Sequence, residues 1–213
     1  MAAPSSEAER QRDKDRTRAD ILAVATREFA DKGYTGARVD EIAARTSTTK
    51  RMIYYYFGGK EQLYIAVLEK AYTTIRVLEQ QVDVEHLDPE DALRRLAALT
   101  FDHHEANPDF IRLVSIENIH HAEHLAQSEI LAGLADPALG SLTVVLQRGR
   151  DAGRFREDAD ALDVHMIISS FCVFRLANRH TFQAIFGRDM LAPARREHYR
   201  TMLGDLVIDY LTA

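Results

Sequence analysis

The chain has 213 residues, of which 46% are apolar, and a formal net charge of −6. This length allows one substantial hydrophobic core, or a small domain joined to a larger one. The single cysteine excludes internal disulfides, and the sequence shows neither an apolar run of about 18 residues nor a signal peptide, so we expect a cytoplasmic protein without a membrane partner. Basic residues outnumber acidic ones, 12 to 9, in the first 60 residues, whereas the remainder holds 15 basic and 24 acidic residues. The N-terminal part is therefore the surface that we expect to meet a polyanion.

The beginning of the chain is predicted to be an arm followed by one amphipathic helix. Residues 1–15 are polar and charged, a composition typical of disordered segments. The alternative is that Arg10, Arg12, Lys14 and Arg16 add contacts to phosphates. Beyond them, Ile21, Ala25 and Phe29 recur at the spacing of one helical face. Because Gly33 follows this apolar stripe, we expect it to end the helix in a left-handed conformation.

Residues 39–58 compress two short helices and a tight break into one segment. Val39 and Ile42 form the buried face of the first helix, and the run Ser47-Thr48-Thr49 consists of residue types that cap the start of a second. A break of about three or four residues between two short amphipathic helices indicates a helix-turn-helix, whose second helix enters the major groove of DNA. This segment therefore predicts a DNA-binding unit.

The predicted recognition helix that follows the break divides into an inner and an outer face. Ile53 and Phe57 are four residues apart and are expected to point inward. Lys50, Arg51 and Tyr54 project from the opposite face, where cations and a phenol reach base edges. Aromatic residues also fit a core or an interface, but the flanking cations and the preceding turn favour a DNA-contacting face.

These segments resemble the DNA-binding domain of the TetR family of transcriptional repressors. The resemblance is carried by TRADILAVATREFADKGY, VDEIA, TKRMIYYYF and GGKEQLY, and it covers about residues 16–65. It implies DNA contacts from Arg38, Thr49, Lys50, Arg51, Tyr54, Tyr56 and Lys60, the last two being placed for phosphates. Several positions depart from the family pattern, among them Tyr56, which stands where many members have histidine, and the long side chains of Lys50 and Arg51. Ser47 replaces a glycine, so the break either takes a left-handed turn at a cost of about 1 kcal/mol or shifts, and Arg38 replaces a capping hydroxyl.

Beyond residue 60 the sequence predicts helix after helix and no alternation typical of strands. The helices are expected at about 60–83, 89–106, 108–125, 137–152, 161–180 and 194–211. The predicted fold class is all-α, with a three-helix helix-turn-helix head joined by a long connecting helix to a helical body. We expect a disordered arm at 1–15, a DNA-binding domain at 16–65 and an effector-binding and dimerisation domain at 66–213.

The resemblance also implies partners. It implies a homodimer held by two helices of each subunit, a palindromic double-stranded operator, and an unidentified small-molecule effector that releases the repressor. Stripes of apolar and small side chains in the last two predicted helices fit such a dimer, although packing on their own core is the alternative. The stripes are Leu162, His165, Met166, Ser169, Ser170, Val173 and Ala177, and Tyr199, Met202, Leu203, Leu206, Val207 and Tyr210. Without a phosphate loop or a nucleophile motif, neither an enzyme nor a cofactor is expected.

The middle helices combine aromatic residues with a few polar groups, as ligand pockets do. The predicted effector contacts are Phe101, Leu113, Glu117, His121, Phe171, Phe174, Arg175 and Asn178. Arg175 would suit a ligand that carries a carboxylate or is an aromatic acid. The alternative is that the phenylalanines fill the core and that Arg175 pairs with a nearby acid.

A cluster of histidines supports a further hypothesis. His120 and His124 are four residues apart on one helical face, a spacing found in metal sites, and Glu117 precedes His120 by three. A second motif of this kind is not found. Two alternatives to an effector-responsive repressor therefore stay open: a helical metal-binding protein or enzyme built on these residues, and a DNA-binding structural protein without an effector.

Overall fold

The computed structural model describes residues 7–212. Within that range the chain forms eleven α-helices and one 3₁₀ turn, Leu125–Gln127, and no strand, so the predicted all-α class is confirmed. The helices are α1 (Glu7–Gly36), α2 (Val39–Ala44), α3 (Lys50–Phe57), α4 (Lys60–Glu79), α5 (Pro89–Ala106), α6 (Pro108–Ile119), α7 (Glu129–Ala132), α8 (Ala135–Asp151), α9 (Ala161–Ala177), α10 (Arg179–Phe186) and α11 (Pro193–Thr212).

Contacts between residues divide the chain into two compact units that do not follow the sequence order. The head unit contains the described residues up to Lys70 together with Arg112–Ser128, and the body unit contains Ala71–Ile111 and the described residues from Glu129 onward. The predicted boundary near residue 65 places segment 112–128 in the body, whereas its contacts group it with the head unit. Helix α4 contributes its first half to one unit and its second half to the other.

The first three helices form the expected helix-turn-helix. Their apolar positions are buried: Ile21, Leu22, Ala25 and Phe29 in α1, Val39 and Ile42 in α2, and Ile53 and Phe57 in α3. The hydroxyl of Thr49 caps α3 by accepting a hydrogen bond from the Met52 N–H at 3.3 Å. Ser47 takes no left-handed turn, because His121 and Ala122 are the non-glycine residues with positive φ in the described range.

Gly33 interrupts α1 where the sequence predicts its end. Its φ of 68° and ψ of 174° lie outside left-handed helix geometry, in a region that essentially only glycine occupies. The break therefore falls at the predicted residue but has a different conformation.

A buried carboxylate joins the helices of the head unit. Glu28 of α1 is buried, lies 2.8 Å from Lys32 and 3.2 Å from Arg45, and accepts a hydrogen bond from the backbone N–H of Arg38 at 3.3 Å. Burial alone would raise the pKa of Glu28, but the Lys32 and Arg38 hydrogen bonds and the two cations lower it. Glu28 thus binds the backbone at the start of α2, where the Arg38 side chain makes no capping hydrogen bond.

Segment Arg112–Ser128 is attached to the head unit by polar contacts at both of its ends. Arg112 pairs with Asp31 of α1, and the Ser128 hydroxyl donates to Glu69 of α4 at 2.7 Å. Helix α6 ends at Ile119 rather than near residue 125, because the chain turns through the positive φ angles of His121 and Ala122.

The turn after α6 carries a buried pair. The Glu117 carboxylate accepts a hydrogen bond from the Leu125 N–H at 3.0 Å and lies 3.4 Å from His124 Nδ1. The His124 ring packs against Tyr34 and Tyr64, with centroids 4.2 and 4.9 Å apart. This acid and imidazole therefore hold the turn against the aromatic side chains of the head unit.

The core of the body unit is built mainly from α5, α8, α9 and α11. It includes Leu93, Leu96, Leu146 and Val207, all buried. Gly149 of α8 is approached so closely by Phe155 that an added Cβ would lie 1.9 Å from its ring. The predicted helix 161–180 ends at Ala177, and a separate helix, α10, follows it.

Helix α1 begins earlier than the composition of the chain suggests. Residues 7–15, expected to be part of a disordered arm, are the first turns of α1, where Gln11 donates to Asp15 at 3.0 Å. The prediction missed this because no apolar stripe marks these turns. Residues 1–6 of the predicted arm lie outside the described residues.

Among residues 7–212, no single helix has the length and apolar content to cross a membrane. Only α9 and α10 taken together reach that content, and they are bent by 68° at their junction.

Candidate nucleic-acid interface and a buried polar cluster

The outer face of α3 presents cationic and aromatic side chains to solvent. Arg51 is exposed, and Tyr54 and Tyr55 have 42% and 69% of their surfaces exposed. Ile53 and Phe57 are buried on the inner face, as the helical spacing predicts. Packing of the inner face thus orients a guanidinium and two phenols outward on a helix only eight residues long.

Two predicted contacts at the start of α3 already have partners within the head unit. Lys50 Nζ lies 3.0 Å from Asp40 Oδ1 of α2, and the Thr49 hydroxyl is engaged in capping. The hydrogen bond with Asp40 raises the pKa of Lys50, so this side chain stays protonated. Because the pair is about half exposed, Lys50 can exchange Asp40 for an anionic ligand at little cost.

The remaining predicted contacts differ in exposure. Arg38 is exposed at the N-cap of α2, and Tyr56 is partly buried. Lys60 turns toward the end of α1: its Nζ lies 4.8 Å from the centroid of the Tyr34 ring and donates to the Thr35 carbonyl at 3.4 Å. Burial lowers the pKa of Lys60, against a smaller opposing effect of Glu28.

Tyr55 was not among the residues predicted from the sequence to contact DNA. It is more exposed than either neighbouring tyrosine and lies four residues after Arg51, on the same side of α3. Counting one helical turn from Arg51 would have identified it.

The residues predicted to contact an effector are divided between the two units. Leu113, Glu117 and His121 belong to the head unit, and the other five residues belong to the body unit. Phe174 is 51% exposed, His121 lies on the exposed turn after α6, and Asn178 caps the end of α9. Phe101 is fully buried, and Phe171 packs on the same core.

Arg175 belongs to a network of ion pairs and hydrogen bonds within the body unit. Its Nη2 lies 2.5 Å from Glu105, its Nη1 donates to the Met190 carbonyl at 3.2 Å, and its guanidinium covers the Phe101 ring at 4.0 Å. This is the alternative that the sequence left open, in which Arg175 pairs with a nearby acid. Arg196 and Arg200 of α11 extend the network to Asp102 of α5.

The body unit instead holds a buried polar cluster, which sequence reasoning did not identify. Its members lie on α4, α5 and α9 and are Arg76, Glu79, Thr100, His103, His104 and His165. All are buried except His165, which is partly buried. Arg76 and Glu79 form an ion pair of 2.8 Å. A cavity of about 10 Å³, the size of one water molecule, adjoins the cluster and is lined by Glu79, Thr100, Ser141, His165 and apolar residues of α5, α8 and α9.

The electrostatics of the cluster are dominated by burial and by Arg76. Burial, opposed by Arg76, raises the pKa of Glu79 to about 7. Burial, His103 and Arg76 lower the pKa of His104 to about 4, and burial and Arg76 lower the pKa of His103 and His165 as well. His104 Nδ1 makes no well-formed hydrogen bond, with only the Thr100 carbonyl close to the ring. The cluster is thus a set of desolvated polar groups with unused hydrogen-bonding capacity.

A larger groove of about 610 Å³ lies on the surface of the body unit, lined by Leu78, Val82, Leu87, Asp91, Arg95 and Leu99 among others. Its charged residues, Asp83, Asp91 and Arg95, are exposed to solvent. Because water already forms hydrogen bonds with such groups, they contribute less binding free energy to a ligand than the buried polar groups of the cluster do.

The proposed metal ligands are not arranged as a site. His120 is exposed, whereas His124 is buried against Glu117, Tyr34 and Tyr64. Across residues 7–212, no group of three or more His, Cys, Asp or Glu side chains is placed to hold a metal ion. The histidine spacing therefore reflects packing of the turn after α6.

Known protein families match both parts of the chain. The family described as bacterial regulatory proteins, tetR family, matches residues 21–67. The family described as tetracyclin repressor-like, C-terminal domain, matches residues 89–207. The first match runs from the middle of α1 into α4, and the second runs from the start of α5 into α11.

Individual relatives agree with these families. The chain is 35% identical to the HTH-type transcriptional repressor NicS of Pseudomonas putida over 199 residues, which cover 93% of this chain and 94% of NicS. It is 38% identical over 108 residues to the HTH-type transcriptional repressor SCO4008 of Streptomyces coelicolor, covering 51% of this chain and 53% of that protein. The crystal structure of the transcriptional regulator SCO4942 of Streptomyces coelicolor has a TM-score of 0.67 at 29% identity, covering 92% of this chain and 98% of SCO4942.

Proposed function

Because the chain belongs to the TetR family of transcriptional regulators, we propose that it is a repressor that binds a palindromic operator as a homodimer and is released by a small molecule. The observation that carries the DNA-binding part is the outer face of α3, where Arg51, Tyr54 and Tyr55 are exposed above a buried inner face. Such a face supplies donors for base edges in the major groove.

The DNA contacts are divided between bases and phosphates. Arg51 and Tyr54 contact base edges, with Tyr55 beside them, and Lys50 leaves Asp40 to join them when DNA is present. Arg38 and Tyr56, at the edges of the helix-turn-helix, contact phosphates. Selection of bound sites from a random duplex pool tests this proposal directly. It should return a palindrome with two half-sites, and a pool without enrichment would contradict sequence-specific binding.

The dimer is supported by apolar side chains that the body unit leaves exposed. Leu162, Met166 and Phe174 of α9 are 59%, 60% and 51% exposed, and Ile185 and Phe186 of α10 are more exposed still. Of the two predicted stripes, Leu203, Val207 and Tyr199 on α11 are buried in the protein's own core. The proposed interface therefore uses the exposed side of α9 with α10 and Leu206, rather than both stripes in full.

Sedimentation of the full chain tests the dimer. Leu162→Glu combined with Met166→Glu places two charges in the proposed interface and should convert the dimer to a monomer. The matched control is Ile130→Glu, which replaces an equally exposed apolar residue of α7. A parent protein that sediments as a monomer at micromolar concentration would exclude this part of the proposal.

The effector site that we propose is the buried cluster around Arg76, Glu79 and His104. A desolvated ion pair and imidazoles beside a cavity give a ligand strong hydrogen bonds in a low-dielectric environment. The cavity holds only about one water molecule, so the ligand binds a state in which α5, α8 and α9 open around it. Helix α4 carries Arg76 and Glu79 and also belongs to the head unit through Lys60–Lys70. A ligand that favours a different position of α4 thereby disfavours DNA binding.

A screen of small polar compounds by thermal shift, followed by operator release, tests the effector site. Ser141→Leu fills the cavity and should abolish both responses to a compound that is active on the parent. Thr143→Leu, two residues further on the exposed side of α8, is the matched control. If the compound acts equally on both variants, the effector binds elsewhere. If compounds that bind tightly never alter operator binding, the protein is a DNA-binding protein without effector control.

A further inference from the structure

The first half of α1 is exposed to solvent along most of its length. From Glu7 to Asp20 the described side chains are exposed, apart from the partly buried Thr17, and burial begins at Ile21. An isolated helix of about 14 residues is marginal in water. A helical segment held out in solvent in this way is suited to contact a partner along its length.

The cations of this segment are divided between two sides of the helix. At about 100° per residue, Arg10, Lys14 and Arg18 fall within about 80° of one another, whereas Arg12 and Arg16 lie on the opposite side. We call the first set the α1 basic strip. Glu7 is the acidic residue on that side, and it lies beyond Arg10 at the start of the helix. Arg10 and Lys14 form no ion pair with any residue from 7 to 212, whereas Arg16 lies 3.0 Å from Asp13.

Arg18 connects the strip to the recognition helix. Its guanidinium lies 5.1 Å from the centroid of the Phe57 ring, and Phe57 is the last residue of α3. From there the strip continues along α1 for about 12 Å, at 1.5 Å per residue. One strand of duplex DNA carries about three or four phosphates over that distance. The strip therefore extends the cationic surface of α3 by a length that matches the backbone of the same duplex.

We propose that the α1 basic strip is a second DNA-binding surface, which follows the phosphate backbone next to the half-site that α3 reads. Its ligand is duplex DNA of any sequence, because three cations on an exposed helix carry charge but no groups arranged for base edges. The inference rests on the proposed operator binding. It adds a contact that lengthens the operator footprint and strengthens its dependence on salt, without changing the sequence preference.

The test compares two double variants of the full chain on the operator selected by the parent. Arg10→Gln with Lys14→Gln neutralises the strip, and Arg12→Gln with Arg16→Gln removes the same charge from the opposite side. Arg18 is left in place because it packs on Phe57. Affinity is measured by fluorescence anisotropy from about 50 to 200 mM salt, and circular dichroism confirms that helix content is retained.

The strip variant should lower the slope of log Kd against log salt by about 1.8 per subunit, since each phosphate contact contributes about 0.9. The opposite-side variant should change it by less than about half of that amount. Trimming the base pairs that flank the half-sites should weaken the parent and leave the strip variant unaffected. The order of preference among mismatched operators should be the same for all three proteins.

Three outcomes would overturn the inference. Equal slopes in both variants would show a general effect of charge, and an unchanged slope in the strip variant would show that the strip makes no phosphate contact. If the strip variant binds the operator as the parent does but loses binding to anionic vesicles, the partner of the strip is a membrane. If the parent itself binds no duplex selectively, the proposed operator binding fails. If the parent binds its operator selectively and the strip variant shows the same salt dependence as the parent, the strip inference fails while the proposed operator binding stands.

Discussion

Arginines in the head unit and in the body unit have opposite surroundings. Arg51 of α3 is exposed and has no ion pair with any described residue, whereas Arg175 of α9 is 3% exposed and contacts Glu105, Phe101 and the Met190 carbonyl. A charge left in water costs little and stays available to a partner. A buried charge is stable only when its own chain supplies a full set of partners. Exposure therefore separates the residues proposed to contact DNA from residues whose charges are held by partners in their own chain.

The same contrast divides the acids. Asp40 holds Lys50 in a half-exposed pair that can be exchanged for DNA. Within the body unit, Glu105 pairs with Arg175, and Glu79 pairs with Arg76. Substitution of the buried charged residues should therefore change the free energy of unfolding, whereas substitution of the exposed ones should change operator binding.

The largest effect is expected for Arg175→Ala. It leaves Glu105 without its closest cation and removes the guanidinium that covers Phe101, and breaking such a buried pair typically costs about 3–5 kcal/mol. Chemical unfolding of the full chain measures the loss. The control is Arg95→Ala, an exposed arginine of α5, which should stay within about 0.5 kcal/mol of the parent. Equal stability of the two variants would contradict the structural role of Arg175.

Arg51→Ala should have the reverse profile. Removing a base-contacting arginine should weaken operator binding by about 1–3 kcal/mol and relax the preference at one position of each half-site. The free energy of unfolding should change by less than about 0.5 kcal/mol. Anisotropy on matched and mismatched operators measures both quantities. An Arg51→Ala protein with unaltered specificity would show that α3 is presented differently.

Glu79→Gln tests the buried cluster through its dependence on pH. Because the folded pKa of Glu79 is about 7, above the ordinary value of 4.5, the folded state binds more protons than the unfolded state between these values. The contribution of Glu79 to stability is therefore present at low pH and is lost as pH rises through 7.

The comparison is made between pH 5 and pH 8. Over that interval the stability of Glu79→Gln relative to the parent should increase by about 1–3 kcal/mol. The opposite dependence from His104, whose pKa is about 4, is common to both proteins and cancels. Glu85→Gln, at an exposed position, should follow the parent at both pH values. A difference independent of pH would mean that Glu79 is ionised throughout.

The smallest effect is expected for Lys60→Met. This substitution tests whether Lys60 stabilises the fold or contacts a DNA phosphate. Loss of its contact with the Tyr34 ring should cost about 0.5–1 kcal/mol of stability and leave the salt dependence of operator binding unchanged. A slope lower by about 0.9 would instead show the phosphate contact that the sequence predicts.

Local spacing made the head unit largely predictable. The faces of α2 and α3, the Thr49 cap and the break at Gly33 all depend on residues within one or two turns, so the sequence contains the information directly. Tyr55 was not predicted, although it lies one helical turn after Arg51 and therefore on the same face of α3. The first turns of α1 were not predicted because they are exposed to solvent and no apolar stripe marks them.

The body unit was predictable only as a series of helices. Apolar periodicity showed that α5, α9 and α11 pack, but it did not show which polar residues end up inside. Arg175 and Glu105 are 70 residues apart in the chain, and α4, α5 and α9 bring Arg76, Glu79, His104 and His165 together. A polar residue in a helix has the same sequence appearance whether it faces solvent or a cavity. Only the packing of distant helices distinguishes the two.

The amino-acid sequence by itself determined the helical class, the helix-turn-helix and its outward cations, because each of these follows from neighbours along one helix. The tertiary structure decided that segment 112–128 belongs to the head unit, that Arg175 pairs with Glu105, and that the buried polar cluster is formed by residues of α4, α5 and α9. These features depend on which charges lose their water, and that is settled only when remote parts of the chain meet.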